Sequence, residues 1–168
     1  WPTPNGWKIS IMLEECGLAY EAHAVKFSDA DQFTPEFLSL NPNNKIPAII
    51  DPNGSGGQTV ALFESGAILL YLAEKSGKLG GSDPVEKARI TQWLMFQMGG
   101  LGPMFGQLGF FYKFAGAQWE DKRPQQRYID EAKRLLGVLN TALEGKDWIA
   151  GEYTIADMAI GPWLAALD

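Results

Sequence analysis

The sequence predicts two parts of different class, a mixed α/β part over residues 1–76 and an all-α part over residues 83–168. Three observations carry this. Strand-forming runs stop at residue 63, and proline-started helical runs dominate after residue 83. The glycine-rich stretch 77–82 between them is the predicted linker.

The elements follow in order. Ile9, Met12, Leu13 and Cys16 recur at helical spacing and Gly17 stops the pattern, so residues 6–16 read as an amphipathic helix. Residues 20–27 are rich in β-formers and read as a strand. Thr34-Pro35-Glu36 supplies an N-cap, an N1 proline and an acidic first turn for a short helix to Leu40. Residues 48–51 and 58–63 read as an antiparallel hairpin around the turn at Pro52-Asn53-Gly54. Ser65-Gly66 opens a helix that buries Ile68, Leu69 and Leu72. Asp83-Pro84-Val85-Glu86 has the pattern of a capping box. The helix it starts is expected to break or kink at Gly99-Gly100-Leu101-Gly102-Pro103. Residues 125–143 form a further helix with Tyr128, Ala132, Leu135, Leu136 and Leu139 on one face. Thr154-Ile155-Ala156-Asp157 is a second capping box, with Tyr153 and Met158 placed for a hydrophobic staple. Strand, helix, hairpin and helix in that order suggest half of a thioredoxin-like sandwich.

Composition narrows the function. At 168 residues, 46% apolar and 20% charged, the chain is globular in balance. A net charge of −6 without a basic run argues against a nucleic-acid partner and against an acidic membrane surface. The longest apolar run, residues 66–73, is far short of the ~20 residues of a spanning helix. One cysteine, Cys16, leaves no internal disulfide, which fits a reducing compartment, and the expected location is the cytoplasm. With one histidine, His23, a multi-histidine centre is excluded and no metal is expected.

Three segments bear on chemistry. In Asn44-Lys45-Ile46-Pro47-Ala48-Ile49-Ile50 a proline precedes a strand. A cis Ile46–Pro47 bond would turn the Ile46 backbone outward to pair with an extended peptide, and a trans bond would make an ordinary strand start. In Phe63-Glu64-Ser65-Gly66-Ala67 a strand end leads into a helix whose unpaired N–H groups suit a carboxylate. Ser65 can add its hydroxyl and Glu64 can pair with an ammonium group, together fitting an α-amino acid head. Ser65 can equally be an N-cap. Thr3-Pro4-Asn5-Gly6 opens the first helix, where Thr3 and Asn5 either cap it or donate to an anion such as a thiolate.

In this order, these motifs resemble the glutathione transferase family, and its Nu class in particular, over nearly the whole chain. The strongest carriers are residues 41–48 and 63–72. Residues 99–104 and the Thr154 box add to them. The resemblance implies a thioredoxin-like glutathione-binding domain followed by an all-α domain that shapes a second-substrate pocket. It implies that Glu64 and Ser65 hold the γ-glutamyl end and that Ile46 pairs with the cysteinyl backbone beside a cis-Pro47. Gln32 and Lys45 would reach the glycyl end, and Thr3 and Asn5 would face the sulfur. Arg127 would point at the tripeptide, across the interface of a homodimer. The family begins with a strand before the Thr-Pro-Asn-Gly turn, whereas only Trp1 and Pro2 precede it here, and the C-terminal helices look short. A longer chain is therefore expected.

The activity implied is that of a glutathione-dependent transferase and disulfide-bond reductase with bound glutathione thiolate as nucleophile, acting on a small electrophile or disulfide. The alternatives are a non-catalytic binding or regulatory module and a glutathione-dependent ether-cleaving enzyme. Cys16 falls near the C-terminal end of its helix on the apolar stripe, which fits a structural cysteine better than a redox one. His23 is read as structural or solvated rather than as half of a Cys-His dyad. Met104, Phe105, Phe110, Phe111 and Tyr112 are read mainly as helical core, with a pocket for an apolar co-substrate as the other reading. Residues 120–123 are a solvated loop.

Overall fold

A computed structural model describes residues 2–167. Trp1 and Asp168 lie outside the described residues. The chain divides into two compact units, Trp1–Gly80 and Gly81–Asp168.

The first unit starts with helix α1, Pro4–Cys16. Thr3 is its N-cap, its Oγ1 accepting from the Gly6 N–H at 3.1 Å, and Pro4 takes the position where no N–H is needed. Gly17 ends the helix at φ 67°, a left-handed geometry that costs glycine little. Helix α2, Pro35–Leu40, is capped by Thr34, which accepts from the Phe37 N–H at 3.3 Å. Strands β1, Ala48–Asp51, and β2, Val60–Phe63, pair antiparallel with Ala48 opposite Phe63 and Asp51 opposite Val60. Helix α3, Ser65–Ser76, packs on α1 and buries Ile68, Leu69, Leu72 and Ala73, while α1 buries Ile9, Met12 and Cys16. Tyr71 donates its hydroxyl to Asp51 at 2.6 Å and Lys75 pairs with the same carboxylate, tying the hairpin to α3.

The expected strand over residues 20–27 does not form. β1 and β2 pair only with each other among the described residues, and residues 17–26 carry no regular structure. β-forming side chains do not make a strand without a ladder partner. A groove of about 1020 Å³ lined by residues 18–25 and by β1 lies along this stretch, and Tyr20 and His23 are exposed. A 3-10 turn, Phe27–Asp29, follows.

The second unit is helical. α4, Pro84–Phe96, begins at Asp83, whose carboxylate accepts from the Val85 and Glu86 N–H groups at 2.7 and 3.0 Å. Glu86 turns to Ser82, accepting from its N–H at 2.6 Å and its hydroxyl at 2.9 Å. The interruption expected at residues 99–103 takes the form of a wider helical turn. A π-helical stretch, Gln97–Leu101, joins α4 to α5, Gly102–Tyr112, with the Gly102 N–H reaching back to the Gln97 carbonyl. The wider turn accommodates the glycines within a continuous run of helical backbone. A side chain at Gly102 would meet Gln97 Nε2 at 2.5 Å, so the buried Gln97 side chain would have to shift to admit it. Helix α6, Arg123–Ala142, buries Ala132, Leu135 and Leu139. Leu136, expected on that face, is 36% exposed, because the buried stripe follows 132, 135 and 139 and passes one residue to its side. Helix α7, Ile155–Ala165, has a complete Thr154–Asp157 capping box. Tyr153 lies against Trp148, with ring centroids 4.7 Å apart. Of the aromatic residues on α5, Phe105 is buried while Phe110 and Tyr112 are exposed. Among the described residues no helix is long and apolar enough to cross a membrane, and no cluster of metal-binding side chains occurs.

Candidate functional site

The candidate site is built on the first unit, around the start of α3. Glu64 joins β2 to α3 at φ 71° and ψ 112°. A non-glycine residue there carries backbone strain on the order of 1–3 kcal/mol, a cost found mainly where function demands the geometry. Glu64 is the N-cap residue of α3 yet makes no side-chain cap, and its side chain is exposed. The partial positive charge of the first turn therefore lies beside an exposed carboxylate.

Ser65 is the first helical residue and is 3% exposed. Its hydroxyl is not a cap for α3. Ser65 Oγ accepts from Lys8 Nζ at 3.2 Å. Lys8 lies on the buried face of α1, fully enclosed. Burial pushes its ammonium down from the ordinary 10.5 to about 7, and the Glu64 carboxylate pulls the other way. Sequence reading missed Lys8, although its four-residue steps to Met12 and Cys16 place it on the buried stripe.

The loop before β1 is held by Asn41, which is 2% exposed. Its Nδ2 donates to the Lys45 carbonyl at 2.6 Å and its Oδ1 accepts from the Asn43 N–H at 2.9 Å. This fixes the approach to Ile46–Pro47, whose peptide bond is cis. Lys45 is exposed and Ile46 half-buried. Ile46 and Pro47 line the same groove as Thr3 and Gly6, so the opening of α1 and the start of β1 share one surface. Asn5 is half-buried in the first turn of α1. Gln32 lies in the 3-10 turn Asp31–Phe33, with a buried Oε1 that accepts no hydrogen bond. Arg127 is exposed on α6 of the second unit.

Cys16 is buried at the far end of α1, 3.3 Å from Ser76 Oγ and 3.9 Å from Met12 Sδ. It is thus in the last turn of α1, while Thr3 and Asn5 are at its start. His23 is exposed beside Glu21 at 3.6 Å.

Comparison with known proteins gives a consistent result. Residues 1–74 match the glutathione S-transferase N-terminal domain. The chain is 49% identical to the disulfide-bond oxidoreductase YfcG of Escherichia coli K12, over 98% of this chain and 77% of YfcG. It is 66% identical to a Pseudomonas putida glutathione transferase solved with one glutathione disulfide per subunit. That match has a TM-score of 0.98 and covers 99% of this chain and 73% of the other. A Pseudomonas fluorescens Pf-5 family member with two glutathione bound matches at 66% identity and TM-score 0.97, over 99% of this chain and 74% of the other. The hairpin, the start of α3 without a side-chain cap and the cis-proline loop thus sit in a sequence that matches these proteins over nearly all of its own length and about three quarters of theirs, and the chain belongs to the glutathione S-transferase family.

Proposed function

We propose that this protein is a Nu-class-like glutathione-dependent disulfide-bond reductase with accompanying transferase activity. The observation that carries the proposal is the start of α3, which has no side-chain cap and is flanked by Glu64 at positive φ. It offers backbone N–H groups and a hydroxyl to a carboxylate, and a carboxylate to an ammonium group. These are the complements of a γ-glutamyl head. The names of YfcG and of the glutathione-bound Pseudomonas proteins support the same ligand.

In this reading Glu64 pairs with the ligand ammonium and Ser65 with its α-carboxylate. Ile46 pairs through its backbone with the cysteinyl unit, and Lys45 and Gln32 reach the glycyl end. Thr3 holds the cap of α1 through Oγ1 and keeps its hydroxyl proton for the sulfur, and Asn5 assists from the first turn. These donors and the α1 N-terminus favour the thiolate over the thiol, whose ordinary pKa is about 8.5. Glutathione supplies the nucleophilic sulfur, and the protein supplies position and charge stabilisation. Arg127 is carried over from the family as a cation directed at the tripeptide in a homodimer. Action in the cytoplasm is part of the proposal, since the reaction consumes a reduced glutathione pool.

The test is turnover of a small dialkyl disulfide with reduced glutathione, followed beside conjugation of an aromatic electrophile. Disulfide reduction above the uncatalysed rate is expected, and Cys16→Ala is expected to keep it. Loss of turnover in Cys16→Ala with the fold intact would move the chemistry to a protein cysteine. Binding of glutathione without turnover of either substrate would favour a non-catalytic module.

A further inference from the structure

Asn41 closes the loop that runs from the end of α2 to Ile46. We propose that Asn41 is a positioning residue that aims the Ile46 N–H at a bound extended peptide, and so sets the affinity for the backbone of the ligand rather than for its charged ends. The inference rests on the glutathione reading given above.

Asn41 is 2% exposed, and both ends of its amide are engaged. Nδ2 donates to the Lys45 carbonyl at 2.6 Å and Oδ1 accepts from the Asn43 N–H at 2.9 Å. These partners fix the amide in one orientation, since the flipped amide would set donor against donor and acceptor against acceptor. The backbone of Asn41 is held as well. Its N–H donates to the Phe37 carbonyl at 2.9 Å, at the end of α2, and its carbonyl accepts from the Asn44 N–H at 3.0 Å. Asn44 sits at φ 49°, a left-handed conformation that asparagine tolerates better than most residues, and the loop turns back there so that Lys45 returns to Asn41.

One peptide plane carries the effect to the ligand. The Lys45–Ile46 bond is trans, the cis bond being the next one. In a trans peptide the carbonyl and the N–H point in opposite directions. With the Lys45 carbonyl drawn onto buried Asn41, the Ile46 N–H is turned away from Asn41. It lies outside the β1–β2 ladder, whose first pair is Ala48 with Phe63, and among the described residues it donates to no protein group. Ile46 is half-buried and lines the groove shared with Thr3 and Gly6. An oriented donor without a protein acceptor, on a groove wall, suits the carbonyl of an extended chain. Without the Asn41 donor the Lys45–Ile46 plane is free to rotate, and ligand has to order it on binding. That lost preorganisation appears as weaker binding.

Two measurements test this. In wild-type protein, exchange of the Ile46 amide is followed by NMR with and without S-methylglutathione. It is expected to slow about tenfold or more with ligand, while the Asn43 and Asn44 amides, already bonded to Asn41, change little. The second measurement uses Asn41→Asp, which is nearly the same in shape and keeps the acceptor for Asn43 but loses the donor to Lys45, and Asn41→Ala, which loses both. Each is expected to bind S-methylglutathione about five- to tenfold more weakly, the worth of one hydrogen bond. KM for glutathione in disulfide reduction should rise by a similar factor with kcat kept within about twofold, because the backbone bond is made before and during the reaction alike. A role confined to stability would instead lower Tm and the active fraction, so apparent kcat would fall with KM unmoved. An unchanged KM in a folded variant, or a wild-type Ile46 amide that bound ligand does not slow, overturns the role of Asn41 and leaves the γ-glutamyl anchoring at Glu64 and Ser65 standing. No binding of S-methylglutathione or glutathione to the wild-type protein overturns both.

Discussion

Replacing Lys8 by methionine tests how much the buried ammonium costs the fold. Methionine keeps the length and most of the volume, so packing between α1 and α3 changes little. Burial takes the Lys8 ammonium from 10.5 to about 7, so the unfolded chain holds this proton more tightly than the folded one. At about 1.4 kcal/mol per tenfold, that is a destabilisation of about 5 kcal/mol. It is fully present below pH 7, declines between pH 7 and 10.5, and is gone above. Losing the donor to Ser65 returns about 1–2 kcal/mol of cost to the variant. Lys8→Met is therefore expected to be more stable than wild type by about 3 kcal/mol at pH 6, and the gain should shrink by about 1.4 kcal/mol per pH unit above neutrality. Urea unfolding at pH 6, 8 and 9.5 measures it. An increment that is the same at all three values, or a variant less stable at pH 6, would refute the reasoning. A chain that keeps such a lysine keeps it at a cost in stability, as is common where a buried charge serves binding.

Two further outcomes are expected. Thr3→Val removes the acceptor for the Gly6 N–H and should cost about 1 kcal/mol of stability. In the same variant the thiol of bound glutathione should titrate about one unit higher, followed by thiolate absorbance, because a hydrogen bond to an anion is lost; Thr3→Ser should restore both. In the second unit, the Asp157 carboxylate accepts from the Ile149 N–H at 2.9 Å, the Thr154 N–H at 2.9 Å and the Thr154 hydroxyl at 3.2 Å. Asp157→Ala leaves those donors unpaired and should lower Tm by about 7 °C in calorimetry, from a loss of about 2–3 kcal/mol; a shift under about 2 °C would contradict this account of the box.

Legibility followed the range of the interactions. Caps are local, so Thr3, Thr34, Asp83 and Thr154 were readable from two or three neighbouring residues, and each oxygen meets the N–H groups expected of it. The hairpin was readable because its two strands lie on either side of one turn. The strand expected at residues 20–27 failed because pairing is non-local and propensity says nothing about whether a partner is in reach. Lys8 was missed because apolar periodicity ranks residues by hydrophobicity and passes over a lysine on the buried stripe. The positive φ at Glu64 had no local signal, since no glycine marks it. Asn41 falls within the 41–48 motif, but its two bonds to the 41–45 loop depend on a backbone path that only the folded chain supplies.

The π-helical stretch at Gln97–Leu101 carries one residue more per turn than its flanks. An α-helix advances each residue by about 100°. Were the α-helical pitch kept through this stretch, the extra residue would turn everything downstream by about this angle. Phe105, 4% exposed, would then swing out of the helical core, and a neighbouring flank of α5 would be dragged inward. The wide turn thus acts as a phase-keeper, letting the two flanking helices present matched faces although one residue stands between them in excess.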